Sequence, residues 1–281
     1  MLPELSEQDA KGDIAVIYGE IKTLCAVPYV SSLQRHLATR PGWLEWCWQV
    51  VRPVFVSGVA QERAWQAAAG TQAPALPTIP SAAQEMWGID SDGRTTLRNI
   101  ARLFAQVSPT NLAFSGIIRA VLEEGAEGLT PAPALPAWTP PAPVPTPPTL
   151  VSAQATTPAL QSLLDHFAVT VDGHPFIPGL YRMLAHYPQF LAYLATTLAP
   201  RLHDPATTAA CAAVKQNIDA TMRELVATEL PPVDRTGLPP PEQHAAVLDA
   251  IERYRETSPQ MIIFGRLIEG CLSTTTQGNG N

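Results

Sequence analysis

The sequence predicts an all-α fold built as two homologous helical repeats joined by a Pro-rich strap, and three observations carry that prediction. Apolar residues recur at spacings of three and four along nearly every segment, and no convincing strand alternation interrupts them. One helical phrase is written twice: 28–53 aligns with 175–200 at a constant offset of 147, without a gap. Between the copies, "TPAPALPAWTPPAPVPTPP" opens a stretch, 130–149, with nine prolines in twenty positions.

Taken in order, residues 14–24 place Ile14, Ile17, Ile21 and Leu24 on one helical face. The first copy of the repeated phrase follows, "VPYVSSLQRHLATRP" at 27–41, and its mate is "HPFIPGLYRMLAHYP" at 174–188. Eight of the 26 aligned positions are identical: Pro28/Pro175, Leu33/Leu180, Arg35/Arg182, Leu37/Leu184, Ala38/Ala185, Pro41/Pro188, Leu44/Leu191 and Pro53/Pro200. Aromatic residues exchange in kind at Tyr29/Phe176, Trp43/Phe190 and Trp46/Tyr193. A second echo pairs "SPTNLAF" (108–114) with "SPQMIIF" (258–264). Pro41 and Pro188 suit the first turn of a new helix, where a missing N–H is harmless. Ser108-Pro109, Asp204-Pro205 and Ser258-Pro259 each read as a capping residue followed by Pro, hence as helix starts. "TTLRNIARLFAQ" and "AAVLDAIERYRE" continue the helical spacing. The Pro-rich run favours polyproline II, about 60 Å long if fully extended, and reads as a semi-rigid strap or a disordered linker. The expected division is a first repeat at 1–128, a linker at 129–157, a second repeat at 158–273 and a disordered tail at 274–281.

Composition narrows the function. The chain has 281 residues, 46% of them hydrophobic and 15% charged, with a net charge of −7. Phosphate binding needs a clustered basic face, so no nucleic-acid partner is expected. The N-terminus lacks a basic region followed by an apolar core, and no apolar run reaches about 18 residues; neither a leader nor a membrane span is expected. Cys25, Cys47, Cys211 and Cys271 lie far apart with no CxxC, which disfavours zinc and dithiol chemistry and suits buried thiols in a reducing cytoplasm.

Chemistry has few places to sit. Two similar repeats pack naturally about a pseudo-two-fold axis, which makes the groove between them the expected pocket. The Ser108 and Ser258 helix starts could face it and attract an anion, or serve only as caps. Arg35 and Arg182 could clamp a carboxylate, or snorkel at the surface. His36, His174 and His186 have no partner at metal-ligand spacing, and Asp165, Glu123 and Glu124 look solvated. GxSxG, Walker A and GxGxxG motifs do not occur.

The phrases "VPYVSSLQRHLATRPGWL" and "HPFIPGLYRMLA", "TLAP" after the second, and the strap resemble the group I (D,L-type) 2-haloacid dehalogenases. The resemblance runs from about Asp13 to Cys271 and rests on the pattern of two repeats. It implies an all-α pseudo-dimeric subunit that dimerises, and hydrolytic removal of halide from either enantiomer of a 2-haloalkanoic acid. No metal or cofactor is implied: an Asp activates water for attack at Cα, and an Asn positions that water. In the family's Ser-Asp-aromatic phrase this chain has Gly179-Leu180-Tyr181, so Leu180 stands at the base position. Ser108 stands at the Asn position, with Asn111 three residues on as an alternative amide, and Tyr29 matches an aromatic pocket residue. No Asp or Glu occurs from 173 to 203. A leucine accepts no proton, and losing a positioned base slows such a step by about 10²–10⁴-fold. Two functions therefore stay open: a dehalogenase-like hydrolase, or a non-catalytic binder of a small carboxylate or hydrophobic ligand on the same scaffold.

Overall fold

In the computed structural model, residues 2–152, 155–171 and 173–272 are described, so the expected tail at 274–281 lies outside them. Twelve α-helices and one hairpin are found among these residues. The helices are α1 (Gly12–Leu24), α2 (Ser32–Leu37), α3 (Trp43–Val56), α4 (Val59–Ala69), α5 (Ser81–Met86), α6 (Ser91–Glu123), α7 (Pro158–Asp165), α8 (Gly179–Leu184), α9 (Pro188–Thr197), α10 (Pro205–Thr228), α11 (His244–Arg255) and α12 (Ser258–Cys271). The hairpin pairs β1 (Val169–Val171) with β2 (His174–Phe176), antiparallel, with Val171 opposite His174.

The mainly helical expectation holds, with three local corrections. The hairpin was not anticipated, although Asp172-Gly173 between "VTV" and "HPF" is a strong two-residue hairpin signal. Gly173 adopts φ +72°, a conformation open to glycine. Ser108 starts no helix: it lies inside α6, followed by Pro109 in mid-helix. Pro at 109 removes one rung of the backbone ladder and crowds the carbonyl four residues back. Close by, the Gln106 carbonyl accepts a hydrogen bond from the Trp65 indole at 2.9 Å, so the disturbed turn has an outside donor. Pro41 precedes its helix, with Gly42 at φ +79° leading into α3. Pro188 does open α9, and Asp204 caps α10 through the Thr207 N–H and hydroxyl at 2.9 and 2.8 Å.

The chain divides into two compact units. The first comprises Met1–Thr71, Gln106–Val144 and Ala213–Pro259; the second comprises Gln72–Ala105, Pro145–Ala212 and Gln260–Asn281. In the first, Trp43, Leu44, Trp46, Cys47, Val50, Val51 and Val54 bury the inner stripe of α3. Trp43 and Trp46 meet edge to face at 6.3 Å, and their indoles donate to Gln243 Oε1 (2.7 Å) and the Asp234 carbonyl (3.2 Å). Arg255 is 1% exposed and donates to the Leu112 carbonyl, Ser115 Oγ and Asp219. In the second unit, Leu180, Tyr181 and Leu184 of α8, Phe190, Leu191 and Leu194 of α9, and Phe167 are buried apolar residues. Ile79 N–H bonds to the Cys271 carbonyl at 2.8 Å there, tying the segment ahead of α5 to α12.

The Pro-rich segment carries no regular structure and is fastened within each unit. In the first unit, Leu129 N–H bonds to the Leu230 carbonyl, Val144 N–H to the Ala26 carbonyl, and the Trp138 indole to Glu62 at 2.8 Å. In the second, Val151 N–H bonds to the Arg182 carbonyl, and His186 Nε2 lies 2.8 Å from the Thr149 carbonyl. Among the described residues, no helix is long and apolar enough to cross a membrane.

Candidate functional site

The first unit holds Tyr29, Ser108 and Asn111. Ser108 is buried, and Asn111 follows one turn later on α6, partly exposed. Asn111 Oδ1 receives a long hydrogen bond (3.5 Å) from the buried amide of Gln34 on α2, and the Ser31 hydroxyl donates to that amide's oxygen. Gln34 was not singled out from sequence, because a glutamine in an amphipathic helix reads as a solvent-facing residue. Between Ser108 and Asn111, the Thr110 hydroxyl donates to the Val107 carbonyl at 2.8 Å. Burial pushes the Cys25 thiol up to about 12, offset in part by a hydrogen bond with Thr110. Tyr29 lies in the turn ahead of α2, where burial pushes its phenol up to about 12 against the pull of Arg35.

Both repeated arginines have partners within their own unit. Arg35 pairs with Glu4 at 2.6 Å, and Arg182 donates to the Val151 carbonyl at 3.2 Å. Glu4 also accepts from the Tyr254 hydroxyl at 3.3 Å, and Leu5 N–H bonds to the Arg35 carbonyl at 2.9 Å. An extended N-terminal arm thus lies on α2 and α11. His36, buried, faces the Pro3 carbonyl through Nδ1 at 2.8 Å.

The second unit holds Gly179, Leu180 and Tyr181, the first turn of α8. A Cβ on Gly179 would meet Phe104 and Leu150 at ordinary contact distances, so this glycine is not required sterically. Leu180 and Tyr181 are both fully buried. The Tyr181 ring stacks on Phe167, with centroids 4.2 Å apart and planes at 17°. Burial raises its phenol well above the ordinary value, with a smaller contribution from Cys211.

A carboxylate or a lysine acts as a general base near neutral pH when its pKa is moved toward 7, whereas a histidine needs no such shift. The carboxylates with a resolved shift, Glu20, Asp204, Asp234 and Glu252, all move down. Hydrogen bonding from Arg52 does this for Glu20, and from Thr207 and Thr236 for the two aspartates. For Glu252 burial opposes the fall, but Lys215, Arg255 and Arg119 together outweigh it. Asp165, Glu123 and Glu124 are exposed, as expected, and engage Gln161, Arg119 and Arg223. The thiols of Cys25 and Cys271 are pushed up to about 12 and that of Cys211 to about 11, mainly by burial, so none is an activated nucleophile. Cys211 is the exception to the expected burial of all four, being partly exposed. No group of three His, Cys, Asp or Glu residues assembles as a metal site among the described residues.

Comparison with known proteins gives a fold without a sequence family. No family model and no curated protein matches the chain. Seven chains of solved structures match, and three of them cover 97% of this chain. A D-2-haloacid dehalogenase mutant has a TM-score of 0.75 at 16% identity over 96% of its own chain. The D-2-haloacid dehalogenase in complex with L-LA has 0.71 at 17% over 97%, and a mutant with D-2-CPA has 0.70 at 17% over 94%. The chain has the fold of the D-2-haloacid dehalogenases along nearly its whole length.

Proposed function

We propose that this chain is a 2-haloacid dehalogenase-like protein that keeps the scaffold, binds a short acid or a small hydrophobic molecule, and does not dehalogenate efficiently. The observation that carries this proposal is Leu180. At the position the resemblance assigns to the base there is a fully buried apolar side chain, with no carboxylate in the sequence from 173 to 203. Ser108, at the position of the water-positioning amide, is buried in mid-helix, and every resolved carboxylate shift runs away from the range a base needs.

The same proposal includes descent from two repeats, and a recurrent backbone pattern supports it. Hydrogen bonds from residues 38, 39 and 40 to the carbonyls of 34, 36 and 37 recur, at the offset of 147, from 185, 186 and 187 to 181, 183 and 184. Each short helix also accepts an extended strand of chain at its arginine carbonyl, from Leu5 at Arg35 and from Val151 at Arg182.

The test is chloride release from both enantiomers of 2-chloropropionate by the purified protein. No release above buffer is expected; turnover within about tenfold of an efficient dehalogenase would overturn the proposal. Ligand binding is tested separately, as a rise in melting temperature with short carboxylates or small hydrophobic molecules.

A further inference from the structure

The Tyr181 hydroxyl is a buried polar group left idle by its surroundings. Tyr181 is 0% exposed, and its Oη has no hydrogen-bond partner among the described residues. A buried hydroxyl without a partner is destabilising, because it gives up water and gains nothing. Other buried side chains with an unpaired atom have a structural reason to be polar. Gln61 uses its amide N–H groups on the Leu24 and Phe55 carbonyls, Gln84 on the Ile79 carbonyl, and His36 meets the Pro3 carbonyl. Tyr181 has one polar atom and spends it on nothing, while a phenylalanine would stack on Phe167 equally well. Its counterpart at the offset of 147 is Gln34, whose amide is engaged on both sides. Packing therefore does not explain the hydroxyl.

We propose that the Tyr181 hydroxyl donates a hydrogen bond to a small, largely apolar ligand bound within the second unit, and that the accepting atom is an uncharged oxygen of a ketone, ester, amide or alcohol. This rests on the chain's being a binding protein, and it selects the hydrophobic ligand over the acid. The surroundings require a neutral oxygen. Among the described residues, the titratable group acting on the phenol is the Cys211 thiol, itself held protonated by burial. The nearest arginine in sequence, Arg182, directs its guanidinium to the Val151 carbonyl. A carboxylate placed against Tyr181 would lose its water without gaining a cation, whereas a carbonyl oxygen gains a donor and loses little.

The experiment uses the whole chain labelled at tyrosine 13Cζ, with 2-pentanone and pentanoate as matched probes. The Tyr181 resonance, assigned by its absence from Tyr181→Phe, is expected to move with 2-pentanone and not with pentanoate. Unliganded Tyr181→Phe is expected to melt about 2–4 °C higher than the wild type, since an unpaired buried hydroxyl has been removed. The variant should also lose the rise in melting temperature that 2-pentanone gives the wild type. A lower melting temperature in the folded variant would mean the hydroxyl already has a structural partner, and would overturn the proposal. So would a Tyr181 resonance indifferent to 2-pentanone, a measurement that does not depend on the variant's stability. A response to pentanoate alone would overturn this proposal and leave small-acid binding standing; chloride release would overturn the reading beneath it instead.

Discussion

Arg255 is the charge buried deepest in the first unit, and its neighbours explain how it is tolerated there. Its guanidinium reaches α6 through the Leu112 carbonyl (3.2 Å) and Ser115 Oγ (2.7 Å), and α10 through Asp219. On α11 itself Glu252 lies 3.3 Å from Nε, and also takes Lys215 and Arg119 at 3.0 Å. Removing one member of such a buried pair leaves the other charge dehydrated and alone. Arg255→Met is therefore expected to lower stability by about 3–5 kcal/mol in urea denaturation, and Arg255→Met combined with Asp219→Leu to recover part of that loss. A double variant no more stable than the single one would show that the carboxylate was never dehydrated. Sequence alone did not reveal this centre: in "AIERYRE" four charged residues fall within five positions, and nothing in the spacing says which turns inward. Leu180 was the opposite case. The sequence set an apolar residue, identical with Leu33 of the first copy, at the position the resemblance gives to the base and counted it among the pocket residues, and the structure buries it fully.

At the scale of elements, the Pro-rich segment and α4 meet where a side chain is forbidden. Gly58 leads into α4 at φ +75°, and a Cβ there would overlap the Trp138 ring. Trp138 in turn donates to Glu62, one turn into the same helix. Gly58→Ala must both strain the backbone and displace the indole, so a loss of about 2–4 kcal/mol is expected. Trp138→Ala removes the clash but not the unfavourable φ, so Gly58→Ala should cost only about 1 kcal/mol in that background. Equal costs in both backgrounds would show that the indole does not sit against Gly58 in solution. The proline count made an extended segment legible, but the tryptophan that pins it is one residue among prolines, with no periodic signal around it. The hairpin was missed for a related reason: three-residue strands are too short for alternation to stand out, and only Asp172-Gly173 announced them. Ser108-Pro109 misled in the other direction. Serine before proline usually opens a helix, and in α6 the ladder runs through it while the Trp65 indole serves a carbonyl beside the break.

Across the whole molecule, the titratable groups define a stability maximum with two different edges. On the acid side, His36 is held neutral in the folded chain, chiefly by burial, with Arg40 and Arg253 also disfavouring its charge and the Pro3 carbonyl and Glu4 opposing them. Its folded pKa lies below the unfolded value of about 6.5, so only the unfolded chain gains the proton first. Its contribution is full above that value and declines as pH falls through it toward the folded pKa. Glu20 and Glu252, lowered by their cationic partners, add a second loss below the ordinary carboxylate range. On the alkaline side the signs reverse. Cys25 and Cys271 are pushed up to about 12, and Tyr18 and Tyr29 likewise, all with burial as the leading cause. Their folded forms stay protonated while the unfolded chain ionises, so stability is full below about pH 8.5 and falls as pH rises through the thiol and then the phenol range. Urea midpoints from pH 4 to 10 should therefore peak between about pH 7 and 8.5. His36→Asn, which keeps a donor near the Nδ1 position, is expected to flatten the limb between about pH 5 and 7 and leave the alkaline limb alone. If that limb is as steep in the variant as in the wild type, another group governs the acid side, and the N-terminal arm resting on His36 is not held by a neutral imidazole.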